Sequence, residues 1–299
     1  MDFKIWGLTG TLVTERPTDE PFASSCLWRV LGEIDAACNR FRADSEISRL
    51  NASAGTPVAV SGTLRGALEA AIEASAATDG LCDPTVLTAL LAWGYDRDYA
   101  IVRKRAGLAE PTVEAAPGVG AIELDVRAGT VRLAPGCQVD LGASAKALAA
   151  DLVADEVAER GGVVVEIGGD VAVRGNSAEG PWVVGVSDTL AIAGDEPRVH
   201  IAGGGVATSS TATRVWRVND RLVNHIIDPR TGRVADGPYA TATVSAARCV
   251  TANAFATAAL LWGDDAPYRI AQAGWAGRLV RRDGTVDFVG GWPVDQEAS

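Results

Sequence analysis

The chain has 299 residues, 47% of them apolar, and a formal net charge of −11. That length and apolar content suit a folded protein with a substantial core and exclude a disordered one. The negative balance argues against a nucleic-acid backbone or an anionic membrane as the main partner. An anionic ligand then has to be met locally, by backbone N–H groups, a few cations or a metal.

The five cysteines, Cys26, Cys38, Cys82, Cys137 and Cys249, are odd in number and widely spaced, with no C-x-x-C pair. Reduced, mostly buried thiols are expected. Residues 1–6 show no basic segment followed by an apolar one, and no stretch approaches the ~20 apolar residues that cross a bilayer. A soluble, cytoplasmic protein without membrane insertion is the expectation.

Residues 3–13 alternate and read as a first strand. Over 23–42, Leu27, Val30, Leu31, Ile34 and Cys38 fall at helical spacing, predicting an amphipathic helix. A second helix over 64–77 stops at Asp79-Gly80. Residues 103–120, rich in Pro, Gly and Ala, read as a surface connection. Residues 122–126 and 131–133 flank Ala128-Gly129 as a hairpin. A helix over 144–160 closes at Gly161-Gly162, and 163–167 is a buried-type strand ending in Gly168-Gly169-Asp170. Further hairpins are predicted from 214–218 with 222–227 around Asn219-Asp220, and from Leu279 with 286–288 around Asp283-Gly284. Between them 251–262 reads as a short helix ended by Gly263. Helices and antiparallel hairpins occur without regular strand–helix alternation, which favours an α+β fold.

No P-loop and no G-x-G-x-x-G opening a helix is present. Gly203-Gly204-Gly205, leading to Thr208-Ser209-Ser210, suits close approach of a phosphate met by hydroxyls, or simply a Gly-rich turn entering a strand. Gly168-Gly169 admits a ligand against bare backbone, with Asp170 for a ribose hydroxyl, or forms a plain turn. Lys146, near a helix start, suits a bound anion or solvent. Asn253 and Thr257 are four apart and share a helix face; their oxygens suit a hard cation such as Mg2+, or local backbone bonding. His225 has an imidazole suited to general-base work or to a buried hydrogen bond. The adjoining Asp228-Pro229-Arg230-Thr231-Gly232 also satisfies a type I turn. Trp93 and Tyr95 read as core aromatics as readily as ligand contacts.

Seven segments in order resemble the ApbE-like family of FAD:protein FMN transferases. They are Asp44-Ser45-Glu46-Ile47-Ser48-Arg49-Leu50-Asn51, Thr78-Asp79-Gly80-Leu81-Cys82-Asp83-Pro84-Thr85, Val139-Asp140-Leu141-Gly142-Ala143-Ser144-Ala145-Lys146, Glu166-Ile167-Gly168-Gly169-Asp170, Thr208-Ser209-Ser210, the run from His225 to Gly232, and residues 251–258. Each is weak singly; seven in register over about residues 5–265 are specific.

The resemblance implies an α+β fold of antiparallel sheets and hairpins packed with helices, with a flavin site in a cleft between lobes. It also implies one catalytic domain over 1–299, or two intimately packed lobes. The implied enzyme binds FAD with Mg2+ and moves FMN through a phosphoester bond onto a Thr or Ser hydroxyl of a target flavoprotein, releasing AMP. His225 and Asp228 are the catalytic residues so implied, with His225 as base. The Thr257 side chain, the Ala145 carbonyl and Asn253 are the implied metal ligands. Asn51, Asp83, Thr85, Lys146, Gly168, Gly169, Asp170, Thr208, Ser209 and Ile227 are the implied FAD contacts. His200 matches no family motif.

One position departs from the family pattern: Asn253 stands where an aspartate is usual. An amide oxygen brings no charge, so weaker Mg2+ dependence is expected, with Asn253→Asp tightening the metal. Cys82 for a usual phenylalanine and Ala147 for a usual glycine read as packing variation. The lack of a lipoprotein signal suggests action inside the cell. Two rival readings are an FAD pyrophosphatase giving FMN and AMP, and a non-catalytic FAD-binding carrier.

Overall fold

Eight antiparallel strands form the largest sheet of the computed structural model, which describes residues 1–188 and 196–293. Their spatial order is Asp2–Ile5, Leu8–Thr14, Val163–Ile167, Asp170–Arg174, Gly203–Ser210, Tyr239–Ala246, Ala276–Arg281 and Val286–Val289. The mixture of antiparallel sheet and helices is the α+β class expected from the pattern.

The single strand predicted over 3–13 is in fact a hairpin. Trp6 and Gly7 both take positive φ, 52° and 73°, and turn the chain back on itself. Trp is no turn signal, so the alternation reads straight through it. Two central strands are also absent from the sequence reading. Asp170–Arg174 starts one residue after the double glycine, and Tyr239–Ala246 is built from Ala, Thr and Ser with one Tyr and one Val. Its Ala and Ser residues dilute the β signal of its Tyr, Thr and Val, but they leave room for a helix to lie close on it.

That helix is Cys249–Trp262, which packs on Gly203–Ser210 and Tyr239–Ala246. The approach is tight: a Cβ on Gly205 would come within 2.3 Å of the Cys249 Cα. The triple glycine therefore lets a helix start sit against a strand. The helix start lacks a side-chain cap of its own. Asp151, buried in the helix Ala145–Val157, accepts instead from the Cys249 and Val250 N–H groups at 3.1 and 3.0 Å.

The chain divides into two units, each assembled from separated stretches. The first comprises Met1–Leu31, Lys146–Ser210 and Gly237–Ser299 and holds the large sheet. The second comprises Gly32–Ala145 and Thr211–Asp236. Its helices include Glu46–Asn51, capped by Ser45, and Gly62–Ala77, capped by Ser61. The predicted hairpins Ile122–Asp125 with Thr130–Leu133 and Val215–Val218 with Arg221–Asn224 are present there. Ile227 does not continue the latter; it belongs to a two-residue pairing of Ile227–Asp228 with Arg233–Val234.

The core of the second unit gathers Leu87, Trp93, Tyr95, Trp216, Val223 and Ile227. Each indole N–H is satisfied, Trp93 by the Gly232 carbonyl and Trp216 by the Trp93 carbonyl, both at 2.9 Å. Trp93 and Tyr95 are thus core residues. All five cysteines are buried and free of disulfides. Burial pushes the Cys82 thiol up to about 12, far from a reactive thiolate at neutral pH. Among the described residues no helix is long and apolar enough to cross a membrane.

Candidate functional site

In the first unit, the double glycine forms a two-residue turn between paired Ile167 and Asp170, with φ of +61° and +91°. This is the geometry that tight hairpins ask of glycine. The Gly168 N–H donates to the Thr9 carbonyl at 2.9 Å and the Gly169 N–H to Glu166 Oε1 at 2.6 Å. Both amides are engaged within the protein. Burial raises the Glu166 carboxyl above its ordinary value, against the pull of that N–H.

Asp170 is 1% exposed. Its Oδ2 accepts from Lys146 Nζ at 2.8 Å and its Oδ1 from Asn253 Nδ2 at 2.9 Å. The two charges neutralise each other internally. Lys146 and Asp170, expected as an anion ligand and a ribose contact, are thus partnered with each other. Thr208 and Ser209 point to opposite faces of their strand, as strand alternation requires. Thr208 Oγ1 meets Thr243 Oγ1 at 2.9 Å, while Ser209 Oγ meets Thr257 Oγ1 at 3.0 Å.

Thr257 and Asn253 lie one turn apart on Cys249–Trp262, both buried. Asn253 Oδ1 is buried and has no hydrogen-bond partner. Among the described residues no cluster of three His, Cys, Asp or Glu side chains is placed to hold a metal. The oxygens that Asn253 and Thr257 bring to a cation are an amide and a hydroxyl. A lone buried acceptor beside a hydroxyl fits a hard cation of the Mg2+ kind.

In the second unit, His225 is partly exposed, its ring edge-on to Tyr95 at 6.5 Å between centroids. The backbone around it is clamped by Asn224, whose Nδ2 donates to the Ala235 carbonyl at 2.9 Å and whose Oδ1 accepts from the Ile226 N–H at 3.0 Å. Asn224 is a residue the sequence reading missed; a polar side chain closing an otherwise buried hairpin was the available signal. Arg40 was missed as well. Its guanidinium is held by Asp140 at 3.0 Å and the Tyr95 carbonyl at 2.9 Å, over the faces of Phe41 and Tyr95.

Six more of the residues expected at the site lie in this unit, in the following settings. Asp228 holds Arg230 through both carboxylate oxygens, at 2.9 and 2.8 Å, and its carbonyl accepts from the Thr231 and Gly232 N–H groups. This is the turn geometry that the run Asp228-Pro229-Arg230-Thr231-Gly232 allows. Asn51 pairs with the Val139 backbone through both ends of its amide, at 2.9 and 2.8 Å. Asp83 Oδ1 accepts from the N–H and hydroxyl of Thr85, and that hydroxyl accepts from the Gly118 N–H. Thr85 is 1% exposed. Ile227 is packed in the Trp93 and Trp216 core. Ala145 is the first residue of its helix and is buried, its N–H donating to the Leu141 carbonyl at 2.8 Å.

Comparison with known proteins agrees with the fold and identifies the lineage. The model of the ApbE family matches residues 7–277. Similar proteins include the FAD:protein FMN transferase of Haemophilus influenzae, 27% identical, with 81% of this chain and 73% of that protein covered. The FAD:protein FMN transferase of Chlamydia trachomatis is 30% identical over 77% of this chain and 72% of its own length. Among solved structures, the ApbE protein of Thermotoga maritima superposes with a TM-score of 0.83 at 24% identity, covering 97% and 96% of the two chains. The apo flavinyl transferase ApbE of Pseudomonas stutzeri gives 0.77 at 24% identity, covering 97% and 92%. A match spanning that much of the sequence, on the same mixed helix and antiparallel-sheet fold, places the chain in the ApbE family.

Proposed function

We propose that this protein is a Mg2+-dependent FAD:protein FMN transferase. The observation that carries the reading is the family match over residues 7–277, to relatives that bear that name. In the reaction, a Thr or Ser hydroxyl oxygen of the acceptor flavoprotein attacks the FMN-side phosphorus of FAD. A new phosphoester bond forms, the pyrophosphate P–O bond breaks, and AMP leaves with the bridging oxygen.

The hydroxyl proton has to be taken up as its oxygen becomes nucleophilic, and His225 is the group assigned to it. Its partly exposed ring and the Asn224 clamp support that role. General-base help of this kind is worth roughly 10²–10⁴ in rate. Asn253, Thr257 and the Ala145 carbonyl are the groups assigned to Mg2+, which neutralises charge on the phosphate oxygens when bound. The unpartnered Asn253 oxygen supports the assignment. Thr208 and Ser209, on the strand that the helix Cys249–Trp262 packs against, are assigned to FAD.

The test is a mass measurement. The protein, FAD and Mg2+ are mixed with a small FMN-binding domain that carries a threonine acceptor. An FMN-sized increment on that threonine, lost with His225→Ala, is the expected result. Free FMN and AMP without an increment, across several acceptors, favour the pyrophosphatase. Bound FAD with no AMP released, across several acceptors, favours the carrier and refutes the transferase.

A further inference from the structure

Asn253 carries two ends of opposite chemistry: an NH2 that only donates and an oxygen that only accepts. An amide offered to a cation is useful in one orientation and obstructive in the other. Which way this one faces is fixed by its neighbour. The Asp170 carboxylate only accepts, so Asn253 must present Nδ2 to it, and does so at 2.9 Å. Asn253 Oδ1 is thereby turned the other way, buried and without a partner.

Asp170 is itself held. Lys146 only donates, and its ammonium takes the second carboxylate oxygen at 2.8 Å. Asp170 is 1% and Asn253 5% exposed, so water offers neither an easy alternative. The three side chains come from three elements: Lys146 from Ala145–Val157, Asp170 from Asp170–Arg174 and Asn253 from Cys249–Trp262. Leaving an acceptor buried and lone is unfavourable, a cost that a bound cation would offset.

We propose that Asp170, held by Lys146, is a positioning residue for the metal: it turns the Asn253 amide so that an oxygen, and not an NH2, faces the cation. The inference rests on the reading of Asn253 and Thr257 as cation donors. It explains how a chain without the usual aspartate at this position keeps a well-defined oxygen donor there. The neutral amide beside a neutralised Lys146–Asp170 pair makes the donor usable without a second buried carboxylate.

The hydrogen-bond polarity makes the test specific. In Asp170→Asn, Lys146 still needs an acceptor, so the new amide keeps its oxygen toward Lys146 and turns its NH2 toward Asn253. Asn253 must then turn its own oxygen inward, which leaves an NH2 facing the cation. In the exchange Asp170→Asn with Asn253→Asp, the new aspartate accepts from that NH2 with one oxygen and offers the other to the metal. The charge count is unchanged. Asn253→Asp alone sets two carboxylates in contact, so tighter metal binding is expected of the exchange rather than of the single change.

The probe is Mn2+, followed as the loss of the free-ion paramagnetic resonance signal, with saturating FAD and no acceptor protein, against FAD alone. Wild type should bind Mn2+ beyond the FAD control. Asp170→Asn should weaken it roughly 10- to 100-fold, the range for groups that orient metal ligands. The exchange variant should return to within a few-fold of wild type or better. Wild-type binding left intact in Asp170→Asn, or lost in both variants while both keep the wild-type circular dichroism, overturns the positioning role alone. No protein-dependent Mn2+ binding in wild type overturns the cation reading and this inference with it. Should Asp170→Asn not fold, the wild-type protein decides the question by nuclear magnetic resonance. Slow solvent exchange of the Asn253 side-chain NH2 is expected, and rapid exchange overturns the proposal.

Discussion

Asp151 is 0% exposed and serves a helix that begins 98 residues later in the chain. Its Oδ1 takes the Cys249 N–H at 3.1 Å and Arg174 at 2.9 Å, and its Oδ2 takes the Val250 N–H at 3.0 Å. Asp151→Asn preserves the shape, removes the charge and replaces one acceptor with an NH2. A lost helix cap costs about 0.5–2 kcal/mol, and a hydrogen bond to a charged group is worth about 1.5–3 kcal/mol. Breaking a buried ion pair outright costs about 3–5 kcal/mol, but that figure applies to a partner left alone. Arg174 keeps Asp155 at 2.7 Å, so it is not left alone. The expected loss is about 2–3 kcal/mol, concentrated at the start of Cys249–Trp262. Amide hydrogen exchange reads this locally, without assuming that two units unfold in one step. Exchange at Cys249 and Val250 should quicken roughly 30- to 150-fold. Acceleration under about threefold would refute the reasoning that this remote carboxylate, rather than sheet packing, fixes the helix start. Since Asn253 lies one turn further on, Mn2+ affinity should fall in the same variant.

Three other perturbations probe separate parts of the structure. His225→Ala should lower single-turnover FMN transfer by roughly 10²–10⁴ while leaving FAD affinity unchanged; mass spectrometry and a fluorescence titration measure the two, and unchanged transfer removes His225 as base. Gly205→Ala places a methyl 2.3 Å from the Cys249 Cα and should cost at least about 1–3 kcal/mol in urea denaturation; a smaller loss means that the helix can shift off the strand. The Glu166 carboxyl is raised by burial above its ordinary 4.5, so the fold disfavours its charged form. Its part of the stability is highest below pH 4.5 and is lost as the pH rises through the folded-state value. Glu166→Gln should flatten that decline, because the amide oxygen still accepts the Gly169 N–H; a slope identical to wild type between pH 4 and 7 contradicts the assignment.

Periodicity and punctuation were enough for elements that carry their own signals. The helix Gly62–Ala77 ends at Asp79-Gly80, both with positive φ, and the hairpin Val215–Val218 with Arg221–Asn224 turns at Asn219-Asp220. The ordered motifs were enough to show a resemblance, because their sequence along the chain survives where each alone is weak. Tyr239–Ala246 escaped notice because its Ala and Ser residues dilute the signal of its Tyr, Thr and Val; its place at the centre of a sheet comes from neighbours contributed by distant segments.

The candidate site separates along the same line. Which residues have chemistry to offer is written in their side chains: an imidazole at 225, a hydroxyl at 257, an amide at 253. Which of them are spent on the protein is a matter of partners. Asn51 and Val139 are 88 residues apart, Lys146 and Asp170 are 24 apart, and Asp170 and Asn253 are 83 apart. Asp83, Thr85 and Asp228 bond within their own turns, a use that the turn reading of residues 228–232 allowed for Asp228. The sequence by itself determined the repertoire of donors and acceptors. Tertiary structure alone decided that Asp170 faces Lys146 and Asn253, and so which end of an amide is left over, because hydrogen-bond polarity propagates only between groups that folding has brought into contact.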